Sequence, residues 1–90
     1  MPTGPIRTID MELIDALFGM GGGYVLDFTD RTFAEFFASE LGINIDERRY
    51  SAEGTSKAKR LRYFLRTCSA PIRLQVLLAL WEYRETKRKR

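Results

Sequence analysis

The chain contains no histidine, one cysteine (Cys68), three prolines and no long apolar run. Each shortage excludes a class of function. Without histidine there is no Ser/His or Cys/His nucleophile pair, and a zinc cluster of cysteine and histidine is out of reach. The acidic residues do not follow an EF-hand spacing either, so no metal and no cofactor is expected. A single thiol forms no intramolecular disulfide, which removes the small secreted scaffold and makes a reducing, cytoplasmic setting the expectation. No segment approaches the roughly 18 apolar residues of a membrane span. The opening Met1-Pro-Thr-Gly-Pro5 has neither the basic nor the apolar part of a signal peptide. Gly19-Met-Gly-Gly-Gly-Tyr24 follows a helix instead of a strand and lacks the phosphate-loop lysine, so it reads as a helix stop. Together these shortages predict a protein that is not an enzyme, takes no small-molecule substrate and does not enter a membrane.

What is present suffices for one core. Ninety residues, 44% of them hydrophobic and 12% aromatic, are enough for one compact domain and too few for two. The expected layout is a single helical domain over residues 1–85, followed by a basic tail or a linker cut at a domain boundary over 86–90.

The net charge of +3 hides a strong polarity. Residues 1–47 carry nine acids against two bases, or −7, whereas residues 48–90 carry thirteen bases against three acids, or +10. Four of those bases lie in Lys87–Arg90, so residues 1–85 sit near −1. Such a partition bears on association more than on fold. It either joins the two halves, or offers opposite faces to two molecules, or includes a patch for a polyanion.

Hydrophobic spacing predicts four helices. Thr8 caps the first, about 9–18, with Ile9, Leu13, Ile14, Leu17 and Phe18 at helical intervals. Tyr24–Phe28 reads as an extended connector packed on the core. Thr29 caps a second helix over 30–41, with Phe28 and Phe33 placed as a hydrophobic staple and Gly42 as its stop. Residues 44–55 form a loop with one helical turn. Thr55 or Ser56 caps a third helix, 57–67, and Ser69 a fourth that is apolar nearly all round and is therefore expected to be the most buried. The predicted fold is all-α, a small bundle of four main helices plus a short helical turn. Its expected core is Leu13, Leu17, Phe33, Phe36, Phe37, Leu61, Leu65, Val76, Leu77, Leu80 and Trp81.

Two features point to function. Lys57, Lys59, Arg60, Arg62 and Arg66 form a basic face on the third helix, with Tyr63 interleaved, which is the composition of a phosphate-contacting surface. Asp27, Asp30, Glu35 and Glu40 form the opposing acidic face. If both faces are free, copies can meet head to tail. If they are not, the arginines neutralise the acidic half of their own chain.

The phrases Tyr24-Val-Leu-Asp-Phe-Thr-Asp-Arg-Thr-Phe-Ala-Glu-Phe-Phe37, Leu41-Gly-Ile-Asn-Ile-Asp46, Gly54-Thr-Ser-Lys-Ala-Lys-Arg-Leu-Arg-Tyr-Phe-Leu65 and Leu80-Trp-Glu-Tyr-Arg84 resemble the small N-terminal modules of bacterial abortive-infection (Abi-type) anti-phage defence proteins. The resemblance implies an adaptor or sensor that precedes an effector, often of nuclease type, and carries no catalytic residues of its own. The helical pattern is also similar, more loosely, to death-fold-like adaptors, although those show six helices. The implied partners are proteins, either further copies or a fused or associated effector. The alternative is a nucleic-acid-binding module using helix 57–66 and the C-terminal tail.

Overall fold

The computed structural model describes residues 7–88, with side chains to Thr86. The first six residues, and Lys89 and Arg90 of the basic tail, lie outside the described residues. The fold is all-α: α1 (Thr8–Leu17), a 3-10 turn (Gly21–Gly23), α2 (Asp30–Leu41), a second 3-10 turn (Arg48–Ser51), α3 (Lys57–Thr67) and α4 (Ala70–Arg88). Among the described residues there is no strand. α4 runs through position 85, where the sequence suggested that the domain ends.

Capping chemistry sets most boundaries. Arg7, one residue before the expected Thr8, caps α1, and the Asp10 carboxylate accepts both its backbone N–H and its guanidinium. At α2 the expected cap is seen: Thr29 Oγ1 accepts from Thr32 N–H at 3.1 Å and Thr32 Oγ1 accepts from Thr29 N–H at 2.9 Å. The Phe28 and Phe33 rings meet at 5.6 Å as the staple. Gly42, at φ 65°, lets its own N–H reach Ala38 O and the Ile43 N–H reach Phe37 O, so Ile43 folds back on the core. Ser56, not Thr55, caps α3 by accepting from Lys59 N–H.

The central helix is α3, not α4. Both 3-10 turns pack on α3, and it buries Ala58, Arg60, Leu61, Phe64 and Leu65. Among its described side chains α4 buries only Val76 and Leu80, with Ile72, Leu77 and Tyr83 partly covered; Leu74, Leu78 and Trp81 are 58%, 54% and 40% exposed. An apolar sequence all round a helix needs neighbours all round it, and the few elements of so short a chain cover one side of α4.

The expected core is corrected at three further points. Phe33, Phe37, Leu61, Leu65, Val76 and Leu80 are buried, and Phe36 and Leu77 are half-buried. Leu13 and Leu17, however, point outward with Trp81. α1 carries two apolar rows, and the one facing inward is Met11, Ile14 and Phe18. Asp15 stands on the flank of that inner row, where its carboxylate accepts two hydrogen bonds of 3.1 Å from Arg62. That pair fixes the roll of the helix. α4 is oriented in the same way: the Arg73 guanidinium donates to Leu65 O at 2.9 Å, while Tyr83 stacks on Phe28 at 4.3 Å and donates to Asp27 at 2.7 Å.

The connectors complete the core. Met20, Val25 and Ile45 are fully buried, and Tyr50 packs against Phe64 at 5.3 Å. Leu26 takes a left-handed conformation (φ 48°), with its N–H on Phe18 O, so the connector turns there and is not extended throughout.

Candidate interaction surface

The basic face on α3 is largely engaged within the chain. Arg60 is 6% exposed; one terminal nitrogen donates to Asp46 at 2.6 Å and the other to Asp30 at 3.0 Å, with the guanidinium 5.5 Å from the Phe33 ring centre. Its Nε has no hydrogen-bond partner. Arg62 holds Asp15 and also reaches Met20 O, Arg66 pairs with Glu53, and Lys57 lies 3.9 Å from Asp30 and over the Tyr24 ring. Lys59 remains exposed at the N-terminal end of α3, with its aliphatic stem over Gly54.

The acidic residues mirror this arrangement. Asp30 is shared between Arg60 and Lys57, Asp27 accepts from Tyr83, and Glu35 pairs with Arg31 one turn earlier. Glu40 lines a shallow cleft with Phe36, Ala79, Glu82, Tyr83 and Thr86 between α2 and α4. The contrast between the two halves of the sequence therefore tethers α1, α2 and the 44–47 loop to α3. Three of the carboxylates involved, Asp15, Asp30 and Asp46, belong to the acidic half, and both of the arginines they bind belong to α3.

Among the described residues no three His, Cys, Asp or Glu side chains gather to hold a metal. Burial pushes the Cys68 thiol above its usual range, which disfavours the thiolate. Among the described residues no helix is long and apolar enough to cross a membrane.

The surface does show an ordered set of exposed hydrophobic side chains. Ile9, Leu13 and Leu17 follow one another at four-residue spacing along the outer side of α1, and Leu74, Leu78 and Trp81 at i, i+4 and i+7 along the outer side of α4. Scattered exposed leucines are ordinary, but rows at helical period form continuous ridges. The Arg84 guanidinium lies 5.1 Å from the Trp81 ring centre, at the edge of the α4 ridge. On α2 an open groove of about 480 Å³ is lined by Ala34, Glu35, Ala38, Gly42, Ile43 and Asn44. The sequence reading missed the ridges because it placed the whole apolar stripe of α1 in the core and took the all-round apolar character of α4 for full burial. The signal was present as apolar residues on two opposite sides of α1 and α4.

No family model, no curated protein and no solved structure matches this chain.

Proposed function

We propose that this chain is a non-catalytic protein–protein interaction module that binds through its outer apolar ridges. The observation that carries the reading is the α4 row Leu74, Leu78 and Trp81, three large side chains left in water at the spacing by which a helix engages a groove. Leaving them exposed forgoes roughly 1 kcal/mol or more of burial apiece, a cost that a partner would recover. The charged faces serve as rim: Lys59, Glu35 and Glu40 stay at the surface, while Arg60, Arg62 and Arg66 hold the fold. The setting of such a module in a bacterial anti-phage defence protein, as adaptor or sensor beside an effector, rests on the sequence resemblance alone. The nucleic-acid alternative is weakened because four of its five α3 cations already face carboxylates.

The test is a photo-crosslinking residue placed at Leu78, with a second at Lys59 as control, in cells that express the chain. The expected result is a protein adduct of defined mass at Leu78 that disappears with Leu74→Glu and is absent at Lys59. Equal, featureless labelling at both positions would overturn the reading.

A further inference from the structure

We propose that α1 is a swappable arm, which leaves its seat on α3 by turning about Gly21–Gly22 and takes the same seat on a second copy of the chain. The fold itself names the occupant of a vacated seat, because α1 is the segment it holds there. The inference goes beyond the ridge reading and makes no use of the α4 row.

The hold on α1 is one-sided. Met11, Ile14 and the C-cap Phe18 are buried, whereas Ile9, Leu13 and Leu17 stay in water on the outer side. The polar ties are the fork from Asp15 to Arg62, whose side chains are both partly exposed, and the Phe18 carbonyl, which accepts from Leu26 N–H at 2.7 Å. A cleft of about 170 Å³ lined by Arg7, Thr8, Met11, Glu12, Asp15 and Arg66 already opens between the start of α1 and α3. An element with so few buried groups opens at lower free energy than the whole chain unfolds.

The hinge lies just beyond the arm. Met20 N–H donates to Asp15 O at 3.0 Å, so residues 8–20 move as one unit. Next come Gly21, where an added Cβ would meet nothing within 4 Å, and Gly22, left-handed at φ 73°, where it would meet only the Tyr24 ring. Two open glycines change backbone conformation without a steric penalty. Gly23 is different: it packs against Ser56 at the start of α3 and stays with the body.

A swapped pair repeats the contacts of the closed chain. Each Asp15 forks to Arg62, and each Phe18 carbonyl takes a Leu26 N–H, across the pair instead of within one chain. The two states therefore differ in the hinge and in the entropy of joining, and the swap is reciprocal and closes at two copies.

Sedimentation equilibrium and amide hydrogen exchange of the full chain test this. In the wild type the α1 amides are expected to exchange faster than those of α3. Asp15→Arg and Arg62→Asp each set like charges at the fork, and each alone is expected to be monomeric with its α1 amides exchanging about tenfold faster still. When the two variants are refolded together from urea, both seats regain opposite charges: the Asp15→Arg arm meets the Arg62→Asp copy, and the unaltered arm meets the unaltered Arg62. The mixture is expected to give a 1:1 complex near twice the monomer mass of 10.4 kDa, with α1 protection restored. A chain from which Gly21 and Gly22 are deleted loses about 7 Å of reach, so its α1 no longer spans to its own seat, and it is expected to be a dimer and nothing larger. Wild-type α1 amides as slow as those of α3, a mixture without complex, or a deletion chain that is monomeric or unfolded would overturn the proposal. Crosslinking at Leu78 does not depend on any of these outcomes, so the ridge reading stands or falls separately.

Discussion

Arg62 and Asp15 lie 47 residues apart in sequence and meet through two parallel hydrogen bonds of 3.1 Å. This fork holds α1 with its Met11, Ile14 and Phe18 row toward the core. Both side chains are partly exposed, so the pair contributes about 1 kcal/mol and acts mainly by choosing an orientation. Asp15→Asn is expected to lower stability by about that amount in urea denaturation, and a double-mutant cycle with Arg62→Gln should recover most of it as coupling energy. Additive single effects would show that the fork does not orient the helix.

The opposite sides of α4 should respond oppositely to truncation. Leu80→Ala removes a fully buried side chain and is expected to cost about 2–5 kcal/mol. Leu78→Ala, on the exposed side, should change stability by less than about 0.5 kcal/mol. Chemical denaturation of the two variants side by side checks the roll of the helix, and equal losses would refute it.

Gly54 combines φ +140° with a position where an added Cβ would collide with the Lys59 Cδ. Gly54→Ala is therefore expected to destabilise by about 1–3 kcal/mol through backbone strain. The Lys59 stem is flexible and can swing away, so Lys59→Ala in the same background should restore little. Full rescue in thermal melts would place the cost in the steric contact instead.

Arg60 is buried, whereas its partners Asp30 and Asp46 are largely exposed and can rehydrate when it is removed. Arg60→Met is expected to cost about 1–3 kcal/mol, less than breaking a pair with both members buried. Arg60→Lys should not rescue it, because an ammonium does not bridge two carboxylates as the guanidinium fork does. Guanidinium chloride is unsuitable for this measurement because it screens the pair; urea at low and high salt serves.

The Cys68 thiol ionises at higher pH in the folded chain than in the unfolded one, because burial disfavours the thiolate. Above pH 9 the unfolded state therefore loses its proton first, and stability falls as pH rises from there. Cys68→Ala should remove that part of the slope, which comparison of urea midpoints at pH 8 and pH 10 would show. Identical slopes in the two proteins would contradict it.

Much of the fold was legible in local chemistry. The Thr29 cap, the Phe28–Phe33 staple and the Gly42 stop are short-range devices, and each stands where its spacing placed it. What stayed hidden depends on long-range choice. Nothing in the order of α1 residues says whether Leu13 or Ile14 turns inward, since the contacts that go with the observed roll, Arg62 on Asp15 among them, come from the other half of the chain. Ile45 and Tyr50 escaped because they are single anchors in irregular segments with no period to reveal them. Arg60 looked like one cation among five, and its burial follows from two carboxylates that approach it from 30 and 14 residues away.

The crossing of charges between the halves also orders events as the chain is made. Residues 1–47 leave the ribosome with nine acids and two bases, and α3, which supplies the counter-charges for Asp15, Asp30 and Asp46, follows only later. Until α3 emerges, the early helices lack both their central packing surface and the cations that hold them. A fragment ending before Lys57 lacks both the helix on which the two 3-10 turns pack and the arginines that bind Asp15, Asp30 and Asp46.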